Sequence, residues 1–63
     1  MRENLKNARK EARLTQKAVA EYLGIAEQYY QAIEYGKRLG AIEIWDKLED
    51  LFSVHQRKLR EIS

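Results

Sequence analysis

The chain has 63 residues, 12 Lys/Arg against 10 Asp/Glu, a net charge of +2, no cysteine and no proline. It is short enough to be a single domain near the lower limit for folding without staples, and the missing cysteines exclude both a disulfide framework and a thiolate metal site. No stretch approaches the roughly 18 apolar residues of a membrane span, and Met1-Arg2-Glu3-Asn4 lacks a signal-peptide core, so a soluble cytoplasmic protein is expected. With three glycines and no proline, little interrupts helices and few turn signals would suit a sheet. The expected fold is all-α, one compact unit of five helices over 1–63.

In chain order, helix 1 is expected from about Arg2 to Ala12. Leu5, Ala8 and Ala12 form its buried stripe and Arg2, Lys6, Lys10 and Glu11 its wet face, with Arg9 close to the buried side. Arg13 stands at the helix end, where a left-handed backbone would cost about 1–2 kcal/mol. Thr15 is a good N-cap for a helix over Gln16–Leu23. Val19, Ala20 and Leu23 are its apolar stripe, and Gly24 can end it with a positive φ. A further helix over Glu27–Glu34 repeats that stripe with Tyr29, Tyr30 and Ile33, and Ala20 is small enough to let the two helices cross closely. Two short helices, a glycine turn and a small residue at the crossing describe a helix-turn-helix.

Residues 35–41 are a loop in which two glycines bracket Lys37 and Arg38. Helix 4 is expected over Ile42–Phe52, with Ile42, Trp45, Leu48, Leu51 and Phe52 at helical spacing. Trp45, the largest apolar side chain of that face, should be buried against helices 1 and 5. Ser53-Val54 form a turn, and helix 5 begins near His55, carrying Leu59 and Ile62 together with Arg57, Lys58 and Arg60.

Charge is unevenly distributed. Residues 1–38 hold eight basic side chains (Arg2, Lys6, Arg9, Lys10, Arg13, Lys17, Lys37, Arg38) against five glutamates (Glu3, Glu11, Glu21, Glu27, Glu34). Residues 39–54 hold Lys47 against Glu43, Asp46, Glu49 and Asp50. Such asymmetry suits a module that binds phosphate on one face, although ordinary solvated faces produce it too. No catalytic constellation is visible: His55 has no second histidine or cysteine to share a metal, and Ser53 is not in a nucleophile elbow. The acidic residues of helix 4 read as a solvated face. No enzymatic activity, cofactor or small-molecule ligand is expected.

Counting from Gln16, the alanine is fifth, the glycine ninth and Ile33 eighteenth, as in DNA-binding helix-turn-helix units. Leu14-Thr15-Gln16, Gly24-Ile25 and Ile33-Glu34-Tyr35-Gly36-Lys37-Arg38 together resemble the lambda-repressor-like (Xre/Cro) family of bacterial and phage regulators, over nearly the whole chain. The chain departs from that pattern at Tyr30, where Ile or Val is usual, at Arg13, where Gly is frequent, and before helix 4, where a proline is frequent. Tyr30 should nonetheless turn inward.

The resemblance implies several roles. Arg9 pairs with Glu34, tying helix 1 to the end of the recognition helix; the alternative is a surface arginine covering apolar area with its stem. The base-facing positions fall on Ala26, Glu27, Gln28 and Ala32. Gln28 is the strongest candidate, because a carboxamide bonds adenine N6 and N7 together. Glu27 can accept from cytosine N4 or serve only as a helix-start carboxylate. Ala32 meets a thymine methyl or leaves room. Tyr29 and Gln31, near the same face, reach phosphates or bases. Gln16, at the start of helix 2, addresses a phosphate or caps its own helix. Lys37 and Arg38 hold the DNA backbone from the loop, with Lys17 and Arg13 as weaker candidates.

Similar proteins pair through their C-terminal region, here Phe52, Val54, Leu59 and Ile62, although Leu59 and Ile62 can equally close the monomer's core. The implied partners are double-stranded DNA with an inverted-repeat operator and a second copy of the chain, with no membrane involved. The implied function is a transcriptional repressor or regulator of a prophage or mobile element, associated with the bacterial nucleoid. The other reading is a protein-binding module on the same fold: an antirepressor, an inhibitor or an autoregulating antitoxin.

Overall fold

The computed structural model describes residues 1–62, and among them it has five helices and no strand. The helices are α1 (Glu3–Glu11), α2 (Gln16–Leu23), α3 (Glu27–Glu34), α4 (Ile42–Phe52) and α5 (Gln56–Arg60). The fold is therefore the all-α helix-turn-helix arrangement the sequence led us to expect.

Local signals explain the helix-turn-helix boundaries. The Thr15 hydroxyl accepts from the Ala18 N–H at 3.0 Å and so supplies one donor at the start of α2 with a partner. Gly24 ends α2 in the left-handed region at φ 74°. The Ile25 N–H then reaches back to the Ala20 carbonyl at 3.0 Å, which fixes the path into α3. Arg13 is also left-handed, at φ 60°, and bears the associated cost of about 1–2 kcal/mol.

The core unites all five helices. Leu5 of α1, Val19, Ala20 and Leu23 of α2, Tyr30 and Ile33 of α3, Ile44, Trp45 and Leu48 of α4, and Leu59 of α5 are buried. Trp45 has no exposed surface, and its indole N–H donates to the Leu39 carbonyl at 2.7 Å. Gly40 passes close beneath it: a Cβ there would lie 3.0 Å from Ile33 Cδ1, and φ is 82°. A side chain at position 40 would meet both strain and a clash.

Four expectations need correction. Arg2 is not on the wet face of α1 but buried, with 4% of its surface exposed. Its backbone N–H donates to the Glu34 carbonyl at 2.8 Å. Its guanidinium donates to the carbonyls of Ile33, Arg38 and Arg60, and lies 5.2 Å from the centre of the Trp45 ring. Ala12 is exposed, because α1 stops at Glu11 and the chain turns there. Ile42 is 56% exposed, and Ile44 takes the inward place at the start of α4. At about 100° per residue, Ile44 shares a face with Leu48 and Leu51, whereas Ile42 falls beyond its edge. Finally, α5 ends at Arg60, so Ile62 is outside it and 58% exposed. Among the described residues no helix is long and apolar enough to cross a membrane.

Candidate nucleic-acid interface

The N-terminus of α2, the outer face of α3 and the loop after α3 carry the residues singled out from the sequence. On α3, Tyr30, Ile33 and Glu34 are buried, so the opposite side of the helix faces outward with Gln28 exposed and Ala32 half-buried. Ala26, the residue before the helix, is exposed, and Glu27 is half-buried in the first turn. Lys37 and Arg38 are exposed beyond the helix end. Their backbone N–H groups both donate to the Ala32 carbonyl, at 2.8 and 3.2 Å, which folds this basic loop back on α3.

Beneath this surface lies an ion pair. Arg9 Nε donates to Glu34 Oε2 at 2.9 Å, and a second guanidinium nitrogen donates to Oε1 at 3.0 Å. The pair is bidentate, and the Glu34 side chain is 1% exposed. Arg9 also donates to the Leu14 carbonyl at 3.0 Å, which ties the α1–α2 turn to the same centre. Burial pushes the Glu34 carboxyl up, but the Arg9 hydrogen bonds, the adjacent Tyr30 hydroxyl, the Arg9 charge and the Gln16 amide together more than reverse this and hold its pKa below the ordinary carboxylate value. The Tyr30 hydroxyl is buried close to both groups, without a hydrogen bond of good geometry to either. Burial, then the Glu34 charge, raises the phenol's pKa far above its usual value.

From Glu34 a row of side-chain hydrogen bonds runs outward to the start of α3. Gln16 Nε2 donates to Glu34 Oε1 at 3.2 Å. Gln31 Nε2 donates to Gln16 Oε1 at 3.1 Å and to Glu27 Oε2 at 3.4 Å. This row bears on two residues. Gln16 keeps one N–H of its amide and, with Lys17, a backbone N–H that no intrahelical carbonyl can accept, so a donor cluster stands at the start of α2. Gln31 has both amide hydrogens engaged, which leaves it only acceptor capacity and no amide hydrogen to offer a phosphate. Lys17 is exposed, and Tyr29 is half-buried against the core.

The C-terminal surface is also partly corrected. Leu59 has no exposed surface and closes the monomer's own core, so it has nothing to offer a second copy. Phe52 and Val54 are half-buried against the core and Ile62 is exposed. Sequence reasoning missed Arg2, which sets the position of the Lys37–Arg38 loop through the Arg38 carbonyl, 2.9 Å from its guanidinium. A second arginine, Arg60, lies 5.7 Å from the Trp45 ring. Burial, then the Arg60 charge, lowers the Arg2 pKa.

A family model described as helix-turn-helix matches residues 5–55, which takes in most of α1, all of α2, α3 and α4, and the turn after α4. No curated protein and no solved structure matches the chain.

Proposed function

The chain belongs to the Xre and lambda-repressor-like helix-turn-helix family of DNA-binding regulators, and on that premise we propose that it is a sequence-specific repressor of a prophage or mobile element. The observation that carries this reading is the placement of one exposed helix face beside two groups rich in hydrogen-bond donors and positive charge. The first turns of α3 offer Gln28, Glu27 and Ala26 to base edges, while the start of α2 and the Lys37–Arg38 loop flank them. A recognition helix needs that division, because phosphate contacts set register and base contacts set sequence. The buried Arg9–Glu34 pair braces the end of α3, so the two kinds of contact are held at a fixed distance from one another.

Gln28 is the principal base contact, through the adenine N6 and N7 edge. Ala32 stands next to it on the groove-facing side. Gln16, Lys17, Lys37 and Arg38 hold phosphates, and Tyr29 adds a hydroxyl at the margin. One copy covers only a few base pairs, so two copies act on an inverted repeat with half-site centres roughly 34 Å, or 10 base pairs, apart. Phe52, Val54 and Ile62 are the surface left for the second copy.

A gel shift against the chain's own upstream DNA tests the reading. Retarded duplex, lost with rising salt and competed by the same sequence far better than by a scrambled one, is the expected result. In that assay Gln28→Ala should lose about 1–3 kcal/mol on the specific site only. Lys37→Ala and Arg38→Ala should weaken all duplexes alike and lower the salt slope by about one each. No sequence preference at any salt concentration would overturn the reading.

A further inference from the structure

The row of hydrogen bonds from Glu34 to Glu27 has a direction, and the buried ion pair sets it. Glu34 is ionised and paired with Arg9, so its oxygens can only accept. Gln16 must therefore turn its amide nitrogen to Glu34 and its oxygen to Gln31. Gln31 must in turn present its nitrogen to Gln16, and the same nitrogen's second hydrogen goes to Glu27 Oε2. The orientation of a glutamine amide is ordinarily ambiguous, because its oxygen and nitrogen are interchangeable in shape. Here a carboxylate two amides away removes the ambiguity.

The two oxygens of Glu27 and Gln31 that the row leaves without a hydrogen bond are then acceptors, Oε1 in each, on half-buried residues of α3. We propose that Gln31 is a positioning residue that holds Glu27 as a fixed acceptor, so that the start of α3 selects a base pair exposing an amino group, cytosine N4 first and adenine N6 second. The proposal rests on α3 being the helix that enters the major groove. Guanine and thymine are disfavoured on that strand at that position, because O6, N7 and O4 are acceptors themselves. An isolated glutamate on a helix surface samples several rotamers, whereas Glu27 is tethered from position i+4 by a side chain that is itself tethered to the core. Specificity at this position thus arises from the buried Arg9–Glu34 pair as well as from the residue facing the base.

Two substitutions separate this proposal from its alternatives. In Gln31→Leu the tether is gone while the helix keeps an equally large side chain. In Glu27→Gln the new amide oxygen takes the Gln31 hydrogen, so its NH2 turns outward and the acceptor face becomes a donor face. A free glutamine reads adenine; one held in this way reads guanine, whose O6 and N7 accept.

The experiment is selection from a random duplex library with the full chain, Gln31→Leu, Glu27→Gln and Gln28→Ala, each first shown by its thermal melt to be folded. The expected outcome is a half-site with cytosine or adenine at one position for the wild type, at a preference of about tenfold. In Gln31→Leu that preference flattens at the one position and elsewhere persists, in Glu27→Gln it moves to guanine, and in Gln28→Ala a different position flattens. An unchanged preference in Gln31→Leu, or adenine chosen by Glu27→Gln, overturns the proposal while leaving α3 as the recognition helix. A wild-type chain that selects no half-site at all overturns the recognition-helix reading and this inference with it.

Discussion

Two arginines, Arg2 buried and Arg9 half-buried, brace the end of the same helix in different ways. Arg9 reaches α3 through a side chain: its guanidinium forms a bidentate pair with the Glu34 carboxylate. Arg2 reaches α3 through the backbone: it contacts the carbonyls of Ile33 and Glu34, adds those of Arg38 and Arg60, and among the described residues has no carboxylate partner. Its charge instead faces the carbonyl-rich end of α3, where the helix dipole favours a cation, and the face of Trp45. The Arg9 side connects to the row of amides that leads to the start of α3, and the Arg2 side connects to the loop holding Lys37 and Arg38. One brace therefore leads to the face proposed to read bases and the other to the loop proposed to grip phosphate.

The largest effect should come from removing the floor of the Arg2 side. Trp45 is fully buried, so Trp45→Ala is expected to cost about 3–5 kcal/mol from lost burial and the cavity left behind. In a domain this small that is enough to unfold most of the population. A circular-dichroism melt should lose its cooperative transition, and a cooperative melt within a few degrees of wild type would show that the core is not centred on Trp45.

The two arginines themselves come next, and they should not be equal. Each guanidinium donates three hydrogen bonds, but those of Arg2 reach more elements, so reach alone ranks Arg2→Met as the worse substitution. Charge ranks them the other way. Arg9→Met strands an ionised carboxylate in the interior, at about 3–5 kcal/mol. Arg2→Met strands only neutral carbonyls, those of Ile33, Arg38 and Arg60, at about 1.5–3 kcal/mol. Denaturant titrations of the two variants measure the difference, and a larger loss for Arg2→Met would reverse the ranking.

Acid sharpens the same contrast. The folded-state pKa of Glu34 lies below its ordinary value of 4.5, so the ion pair's stabilisation is whole above that value and lost as pH falls through the lower, folded pKa. Wild-type melting temperature should accordingly drop below about pH 4. In Arg9→Met the carboxyl keeps its burial and loses its partner, so its pKa rises above the unfolded value and the sign reverses. That variant should gain stability between pH 7 and pH 5. Thermal melts across this range test it; parallel pH profiles for the two proteins would contradict it.

How much of this was legible in the sequence differs between the two braces. Arg9 and Glu34 are side chains at positions a known family pattern already relates, and the helix bounds around them follow from Thr15, Gly24 and two matching apolar stripes. The bounds of α2, α3 and α4 agree with those read from the sequence for that reason. Arg2 left no such mark. An arginine two residues from the start of a chain belongs to a type seldom fully buried, and its partners are backbone carbonyls, which every residue has. Ile42 and Ile44 were likewise inseparable by hydrophobicity, and only the phase of the stripe set by Leu48 and Leu51 chooses between them. The orientation of the Gln16 and Gln31 amides depends on a buried charge from another helix, which spacing along the chain does not encode.

The smallest effect concerns the one polar group that the Arg9 brace leaves without a partner. The Tyr30 hydroxyl is buried beside Glu34 and Arg9 and makes no hydrogen bond. Glu34 already accepts two hydrogen bonds from Arg9 and one from Gln16. A buried hydroxyl without a partner forfeits its hydration and gains no bond in exchange, which costs about 1–3 kcal/mol. Tyr30→Phe removes that penalty, keeps the ring against Ile33 and the rest of the core, and leaves behind only a void the size of one oxygen. The void offsets part of the gain. The net expectation is a change between zero and about 1 kcal/mol in favour of the variant, or at most a rise of about 4–8 °C in melting temperature. Glu34 should keep most of its depressed pKa, since Arg9 and Gln16 are untouched, so the acid limb of the stability profile should stay close to that of wild type. A melt that fell by several degrees, with the acid limb shifted upward, would mean that the hydroxyl donates to Glu34 and belongs to the brace.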